Sequence, residues 1–318
     1  MIDSSNPLTA RVVAIVPTLR RSTRLDRCLE SVRKAGAGHD LKVLVIVNGG
    51  DGSRPAVPEG EVTYLETGVN LGWAGGLTFG FARTSSDFTW AVQDDMVVDS
   101  RCLTNLMKAL DDDPGLAAAR PLVLDARGRI QRRSGGGYLD EDGSLVRGWP
   151  MRARPQTTAI PTDFDFVTGS GMLVRSQVWR GVGGWDPGYY PVGYADVDFN
   201  QRLVAAGWKV ALEPTATCTH PGSASTPTHL RFLLSFHNRR RFAQNWRSPK
   251  SDSPDPLEEV LRPHPDISRE QLAQLLAWSN AVLFDIDDWL ATQHIARPVS
   301  QRMRGLYWTA RAWLSRRY

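Results

Sequence analysis

The stretch "FTWAVQDD", residues 88–95, places two adjacent acids at the end of an apolar run. Residues 88–92 have the composition of a buried strand. Two neighbouring carboxylates at a strand end repel each other, and a cation beside them would compensate this repulsion. Hard divalent cations prefer oxygen ligands, and one or two carboxylates suffice when a substrate diphosphate completes the shell. Alternatively, Asp94 and Asp95 bind no metal and only cap the N-terminus of a following helix, where a negative charge is favourable. Without other motifs, this second interpretation is slightly favoured.

Around this stretch, apolar strands alternate with helical segments from residue 11 onward. The strands are "RVVAIVPT", "LKVLVIVNGG", "EVTYLET" and "FTWAVQDD", and the helices between them are "RLDRCLESVRKA" and "AGGLTFGFART". This alternation predicts an α/β fold with a parallel sheet and right-handed crossovers. Ligands of such sheets bind beyond the carboxyl ends of the strands. We therefore expect Pro17, Thr18, Asn48 and the two acids to meet at one edge of the sheet.

Composition excludes several classes of protein. The 318 residues suit one large α/β domain with an appendage, and 42% hydrophobic residues suffice for a sizeable core. P-loop and dinucleotide fingerprints are absent, and "PTLRRSTR" lacks the glycines that a sugar nucleotidyltransferase would need after its first strand. Three widely spaced cysteines suggest reduced thiols in a cytoplasmic protein. Without a secretion signal or an apolar run of about 18 residues, we expect a protein that is either soluble or attached to a membrane surface.

Two further motifs carry candidate chemistry. "GYADVDFNQRL" places Asp196 and Asp198 at the start of a helix predicted over 197–206. Such acids either complement the helix dipole or deprotonate an acceptor hydroxyl. His220, in "CTHPGSAST", follows the predicted strand "WKVALEPTATC". A lone histidine is more often a hydrogen-bonded surface residue than a metal ligand, so this motif alone leaves both roles open.

Taken in order, the motifs resemble those of family 2 glycosyltransferases, including the rhamnosyl- and galactofuranosyltransferase-like members. The matching segments, within residues 11–245, are "VVAIVPTLRR", "NLGWAGG", "VQDDM", "TGSGMLVRSQVWRGVGGWDPGYY", "YADVDFNQRL", "HPGSAST" and "FHNRRRF". The resemblance implies a GT-A fold, with a Rossmann-like, mainly parallel central sheet flanked by helices. It also implies transfer of a sugar from a nucleotide diphosphate donor.

The resemblance assigns roles to single residues. Asp95 matches the final acid of the Asp-x-Asp metal motif, and His220 matches the histidine that completes the metal shell in some members, which implies Mg²⁺ or Mn²⁺. Asp196 takes the catalytic-base position, with Ala195 in place of the usual Glu. The implied nucleotide-binding residues are Pro17, Thr18, Arg20, Asn48, Asp51, Asn70, Gly72, Gly76, Gln93 and Asp94. Those implied for the donor sugar and diphosphate are Gly169, Ser170, Gly171, Asp198, Arg239 and Arg240.

Three motifs depart from the family pattern. Gln93 stands where the metal motif usually begins with Asp or Asn, and Thr78 stands in place of a second Asn. "VNGGD" replaces Val-Asp-Asn-Gly-Ser after the second strand, so the acid that reads the base is missing and Asn48 or Asp51 is expected to substitute for it.

The implied activity is an inverting transfer by direct displacement, with Asp196 taking the proton of the acceptor hydroxyl. The donor is a UDP-, dTDP- or GDP-linked sugar, the acceptor is a glycan, a lipid-linked or a small-molecule hydroxyl, and no nucleic acid is involved. Two alternatives remain open: a catalytically weak nucleotide-sugar binding module, suggested by Gln93 and Ala195, and a membrane-surface assembly protein.

The expected domains are a GT-A domain over 1–246, a Pro-rich linker or strap over 247–266 and a helical region over 267–318. The first domain divides into a nucleotide-binding half, about 11–124, and an acceptor and catalytic half, about 125–246. Beyond Pro298 the tail has the pattern of a basic amphipathic helix. Such a helix suits an anionic inner membrane surface, but packing against its own domain or a dimer partner is the commoner use.

Overall fold

The computed structural model describes residues 6–19, 22–49, 62–125, 127–130, 136–139, 145–146, 164–190, 193–220, 238–239 and 241–246. The strands are β1 (Leu8–Thr9), β2 (Val12–Thr18), β3 (Leu41–Val47), β4 (Val62–Glu66), β5 (Thr84–Ser85), β6 (Phe88–Ala91), β7 (Val97–Val98), β8 (Leu116–Leu124), β9 (Gly136–Leu139), β10 (Leu145–Val146), β11 (Phe166–Val167), β12 (Met172–Arg175) and β13 (Lys209–Thr219). The helices are α1 (Thr23–Ala35), α2 (Gly72–Phe81), α3 (Cys102–Asp112), α4 (Ser176–Val182) and α5 (Ala195–Ala205).

Several predictions fall outside these ranges. They are the linker over 247–266, the helical region over 267–318 with its membrane or dimer contact, and the site residues Arg20, Asp51 and Arg240. Each of them stays a prediction.

An eight-stranded sheet in the order β4-β3-β2-β6-β12-β8-β13-β7 forms the centre of the molecule. The pairings β4–β3, β3–β2, β2–β6 and β8–β13 are parallel, which confirms the mainly parallel sheet expected from the sequence. β12 is antiparallel to both of its neighbours, β6 and β8. Strands on both sides of residue 125 therefore belong to one sheet. The described part of 125–163 contains the antiparallel pair β9 and β10, in keeping with the hairpins expected there.

Helices cover both faces of this sheet, which explains why its strands are apolar without alternation. All seven residues of β2 are buried. One face packs against α1 and α3, and the other packs against α2, α4 and α5. α1 lies where the sequence predicts a helix, and Leu25, Leu29 and Val32 share its buried face. At its start the hydroxyl of Ser22 accepts the Leu25 N–H at 3.1 Å. Among the described residues, no helix is both long and apolar enough to cross a bilayer.

α2 lies close to the sheet because its inward positions are glycines. A Cβ on Gly80 would lie 2.8 Å from Ile15 Cγ2, and one on Gly76 would lie 3.1 Å from Pro17 Cβ. Glycine removes these side-chain atoms and lets the helix axis approach β2. The N-terminus of α2 consequently lies beside the carboxyl ends of β2 and β3.

α5 is fixed to β11 by one buried amide. Asn200 is fully buried, its Oδ1 accepts the Val167 N–H at 3.1 Å, and its Nδ2 donates to the Val167 carbonyl at 2.9 Å. The same Nδ2 donates to the carbonyl of Asp196 at 2.6 Å. The carboxamide thus gives the backbone of Val167 the two hydrogen bonds that a neighbouring strand would otherwise make. It also fixes the position of the first turn of α5.

We expect Asn200→Ala to lower the free energy of unfolding by on the order of 2–3 kcal/mol, because it leaves the buried N–H and carbonyl of Val167 without partners. Val204→Ala is the control, since Val204 lies on the same helix and is 50% exposed. Its effect should stay within about 0.5 kcal/mol. Urea unfolding measures both, and equal losses in the two variants would contradict the role given to Asn200.

Candidate active site

The carboxyl ends of β2, β3 and β6 meet at one edge of the sheet, as the alternation of strands and helices predicts. The hydroxyl of Thr18, the last residue of β2, donates to Asp94 Oδ2 at 2.7 Å. Asn48 follows β3, is buried, and contacts the segment that precedes α2. Its Oδ1 accepts the Leu71 N–H at 2.7 Å, and its Nδ2 donates to the Gly72 carbonyl at 2.9 Å. Polar groups from three strands are therefore adjacent at this edge.

The residues predicted to bind nucleotide around α2 also bind one another. Asn70 Oδ1 accepts the Gly72 N–H at 2.8 Å, and Gly72 has a φ of 71°, in the left-handed region that favours glycine. Gly76 packs against Pro17 and Asn48. Because the carboxamide of Asn48 is engaged at both ends, we assign it the positioning of this segment, and its contact with a nucleotide base stays a prediction.

The two predicted metal ligands lie side by side. His220 Nε2 is 2.9 Å from Asp95 Oδ1, and the two side chains are only 14% and 12% exposed. The pairing of β13 with β7 explains this contact: Thr219 is opposite Val97, so the next residue, His220, reaches the acids that precede β7. Two motifs far apart in the sequence thus converge at the end of β6.

Asp94 shows that this edge is short of positive charge. Burial, followed by the charge of Asp95, raises the pKa of Asp94 to about 7, although the hydrogen bond from the hydroxyl of Thr18 acts in the opposite direction. A cation beside the two acids would favour the charged form of both.

The donor atoms at this edge suit a divalent cation. Two ligands on adjacent corners of an octahedral ion with bonds of about 2.1 Å lie about 3 Å apart. Asp95 Oδ1 and His220 Nε2, at 2.9 Å, already have that separation. The described residues contain no group of three or more His, Cys, Asp or Glu side chains that could hold a metal. A cation held by Asp95 and His220 would therefore take its remaining ligands from substrate oxygens and water.

The turn formed by Gly169, Ser170 and Gly171, called here the 169–171 turn, lies on the end of β6. The Ser170 hydroxyl donates to Gln93 Oε1 at 2.7 Å. The Gly171 N–H donates to the Ala91 carbonyl at 2.8 Å, and Trp90 Nε1 donates to the Gly171 carbonyl at 2.8 Å. These bonds fix the turn next to the two acids.

The same turn contacts Asp196 on its other side. The Gly169 N–H donates to Asp196 Oδ2 at 3.1 Å, and the Val197 N–H donates to Oδ1 at 3.1 Å. A Cβ on Gly169 would lie 3.3 Å from the Trp185 ring and 3.4 Å from Asp196 Cβ, so glycine allows this approach. The half-buried Asp196 lies in the first turn of α5 and is connected through the 169–171 turn to Gln93.

Asp198 serves a different purpose from Asp196, because residues two apart on a helix do not face the same side. Asp198 is 4% exposed, and its Oδ1 accepts hydrogen bonds from the Tyr189 hydroxyl at 3.1 Å and from Trp246 Nε1 at 2.9 Å. Its Oδ2 accepts from Arg202 Nε at 2.8 Å. The structure therefore does not bring Asp198 to Asp196, and its predicted contact with the donor stays a prediction.

A cavity of about 430 Å³ lies on the Asp198 side of α5 and includes Asp186, Arg202, Asn245 and Trp246 in its lining. In the motif "HNRRRF", Arg241 pairs with Asp186 at 2.8 Å. Arg239 lies on the same helical segment and is half-buried. Its predicted contact with the donor diphosphate also stays a prediction.

Sequence reasoning missed three residues that shape the site. Tyr194 lies two residues before Asp196 with a φ of 65°, and the local sequence carries no signal for this left-handed backbone. The buried Asn238 binds the residue before Tyr194, since its Nδ2 donates to the Gly193 carbonyl at 3.0 Å. Arg120 is fully buried below the 169–171 turn. Arg120 could have been identified from the sequence, because it is the one charged residue in the apolar strand "LAAARPLVL".

Comparison with known proteins gives a consistent result. The sequence model described as "Glycosyl transferase family 2" matches residues 13–180. The N-acetylglucosaminyl-diphospho-decaprenol L-rhamnosyltransferase of Mycobacterium tuberculosis, in the strains CDC 1551 / Oshkosh and ATCC 25618 / H37Rv, is 27% identical over 276 residues. That alignment covers 75% of this chain and 86% of the relative.

Among solved structures, GalNAc-T7 with UDP, GalNAc and Mn²⁺ has a TM-score of 0.52 and 14% identity to this chain. The match covers 85% of this chain but only 57% of the length of that protein. The mannosyltransferase PcManGT from Pyrobaculum calidifontis, in complex with GDP-Man and Mn²⁺, has a TM-score of 0.47 and 14% identity, with 96% of this chain and 89% of that chain covered. The likeness to GalNAc-T7 confirms the expected GT-A fold.

We expect Gly171→Ala to lower the free energy of unfolding by on the order of 1–3 kcal/mol. Gly171 has a φ of 75°, and a Cβ there would lie 2.8 Å from Pro121 Cγ and 2.9 Å from Met96 Cε. Gly181→Ala in α4 is the control, because no atom lies within 4 Å of its added Cβ. It should be neutral or stabilising by up to about 1 kcal/mol. Chemical denaturation distinguishes the two, and a neutral Gly171→Ala would show that the turn is not constrained.

Proposed function

Because the chain belongs to glycosyl transferase family 2 and is a glycosyltransferase, we propose that it transfers a sugar from a nucleotide diphosphate donor to an acceptor hydroxyl with inversion. In this proposal Asp95 and His220 hold a divalent cation, Mg²⁺ or Mn²⁺, and Asp196 is the general base. The observation that carries it is the 2.9 Å contact between Asp95 and His220, the two residues to which the family resemblance assigns the metal.

The residues around the end of β6 bind the diphosphate part of the donor. A divalent cation at Asp95 and His220 would neutralise the charge that develops on the diphosphate leaving group. The bond from Thr18 holds Asp94 in place next to Asp95. The N-terminus of α2, held by Asn48 and Asn70 through the N–H groups of Leu71 and Gly72, lies at the same edge, and the positive end of a helix dipole favours an anion there. The likeness to a structure with UDP and Mn²⁺ supports a donor and a cation of these classes.

The 169–171 turn carries the donor sugar in this proposal. The turn contacts Gln93 through Ser170 and Asp196 through Gly169, so it connects the diphosphate side of the site to the proposed base. Its two glycines leave room for a sugar ring to approach the backbone. A sugar lying on the turn would have its anomeric carbon between the leaving group and the acceptor.

Asp196 accepts the proton of the acceptor hydroxyl. As that proton moves to a carboxylate oxygen, the hydroxyl oxygen forms a bond to the anomeric carbon and the bond from that carbon to the diphosphate breaks. Attack from the face opposite the leaving group inverts the configuration. The N–H groups of Gly169 and Val197 orient the carboxylate. Its place in the first turn of α5 favours the charged form.

The named relative suggests the acceptor. It is an N-acetylglucosaminyl-diphospho-decaprenol L-rhamnosyltransferase. We propose the same class here, a sugar hydroxyl on a lipid-linked diphosphate, and rhamnose as the first donor sugar to test.

Asp95→Ala should lower the rate of transfer by on the order of 100-fold or more, because a cation contributes several kcal/mol of charge stabilisation. The binding of nucleoside diphosphate in Mn²⁺ should weaken in parallel, which calorimetry measures. Asp111→Ala is the control, since it removes an equal charge from a residue that is 54% exposed on α3. Full activity of Asp95→Ala, or of the wild type in EDTA, would rule out the cation site.

Asp196→Asn keeps the shape of the side chain but cannot accept a proton. We expect kcat to fall by on the order of 100-fold, the usual size of a general-base effect, with little change in donor affinity. Asp198→Asn is the contrast, because it removes the charge opposite Arg202 and should lower stability instead. Steady-state kinetics and donor titration test both variants. Loss of donor binding with normal turnover in Asp196→Asn would make Asp196 a binding residue and not the base.

A further inference from the structure

Arg120 is a buried cation that the reaction described above does not use. It lies in the middle of β8 and its side chain has 0% exposure. Burial lowers the pKa of its guanidinium to about 10, and the charge of Asp196 and the thiols of Cys102 and Cys218 act in the opposite direction. The group therefore stays positively charged at neutral pH.

The hydrogen bonds of Arg120 do not explain its burial. Nη2 donates to the Ser170 carbonyl at 3.2 Å. In the part of the chain that the structure describes, Nε and Nη1 have no hydrogen-bond partner. A buried charge with incomplete hydrogen bonding destabilises a folded protein compared with an apolar side chain of similar size. Stability alone therefore gives no reason for an arginine at this position.

The position of Arg120 supplies the reason. Arg120 and the next residue, Pro121, form the floor of the 169–171 turn, since a Cβ on Gly171 would lie 2.8 Å from Pro121 Cγ. The same turn donates the Gly169 N–H to Asp196. Of the described carboxylates, Asp196 is the one whose charge raises the pKa of Arg120. Arg120 thus acts on Asp196 through the turn and through its charge.

We propose that Arg120 is a positioning residue of the transfer reaction: it holds the 169–171 turn by the Ser170 carbonyl and balances the charge of Asp196, so that the carboxylate stays oriented toward the acceptor hydroxyl. This inference rests on the proposed role of Asp196 as the general base. It adds a residue of β8 to the machinery, and that residue lies on the side of the turn opposite the substrates.

The test separates stability from turnover. Arg120→Met removes the charge with little change in size. Its free energy of unfolding should equal or exceed that of the wild type. Donor affinity should change less than about threefold, and kcat should fall about tenfold, within the range of coupling between neighbouring residues. If Arg120 had only a structural role, Arg120→Met would show the opposite result: a lower free energy of unfolding and a normal kcat in the folded fraction. Arg175→Met is the control, because Arg175 also binds backbone carbonyls, those of Leu116 in β8 and Leu110 in α3. It lies opposite Phe88, at the other end of β6 from the site.

Arg120→Lys and Arg120→Gln keep the inference falsifiable if Arg120→Met does not fold. Lysine keeps the charge and glutamine keeps a donor for Ser170, so Arg120→Lys should turn over about tenfold faster than Arg120→Gln. Equal kcat values in these two would overturn the role of the charge.

Combining variants separates this inference from the proposed function. Adding Arg120→Met to Asp196→Asn should cause no further loss of kcat, because both changes act on the same carboxylate. A normal kcat in Asp196→Asn alone would overturn the proposed base and this inference with it. A low kcat in Asp196→Asn with a normal kcat in Arg120→Met, or fully additive losses in the double variant, would overturn this inference and leave the proposed function intact.

Discussion

The repulsion between two adjacent carboxylates at the end of β6 is the constraint on which the site depends. Asp94 and Asp95 follow a buried strand, where a second negative charge is costly without a positive partner. Residues from two other strands lie next to the two acids. The parallel pairing of β2 with β6 brings the hydroxyl of Thr18 to Asp94, and the antiparallel pairing of β13 with β7 brings His220 to Asp95. The proposed cation completes this arrangement and explains why a diphosphate would bind there.

The 169–171 turn depends on the same strand. β12 is antiparallel between β6 and β8, so the turn that precedes β12 lies on the carboxyl end of β6. It contacts Gln93 on one side and Asp196 on the other. Two departures from the usual rules of folding cluster around it: the left-handed backbone of Tyr194 and the buried charge of Arg120. Strain and poorly satisfied groups of this kind are expected where function, and not stability, selects the residue.

The sequence predicted what depends on local pattern. Continuous apolar runs identified β2, β3 and β6, and the segment "RLDRCLESVRKA" was correctly predicted as the helix α1. The resemblance to family 2 glycosyltransferases implied that Asp95 and His220 share a metal ion, and in the structure the two side chains lie 2.9 Å apart.

Features that depend on long-range register could not be predicted in the same way. The sequence places Asp196 and Asp198 in one motif, but the rotation of the helix directs them to different partners. From the sequence, the side-chain amide of Asn48 was expected to bind a nucleotide base. In the structure α2 lies so close that the amide binds two backbone groups instead. The partner of Arg120 lies in a turn fifty residues later in the chain, which no local pattern indicates.

Coordination of Mn²⁺ by His220 is the most direct test of the account. Pulsed electron paramagnetic resonance of the protein with Mn²⁺ and a nucleoside diphosphate measures the coupling of the metal to nearby ¹⁴N nuclei. The account predicts the coupling of one directly bound imidazole in the wild type, and its loss in His220→Gln under conditions in which the nucleotide is still bound. The same spectrum in both proteins, or no imidazole coupling in the wild type, would contradict it.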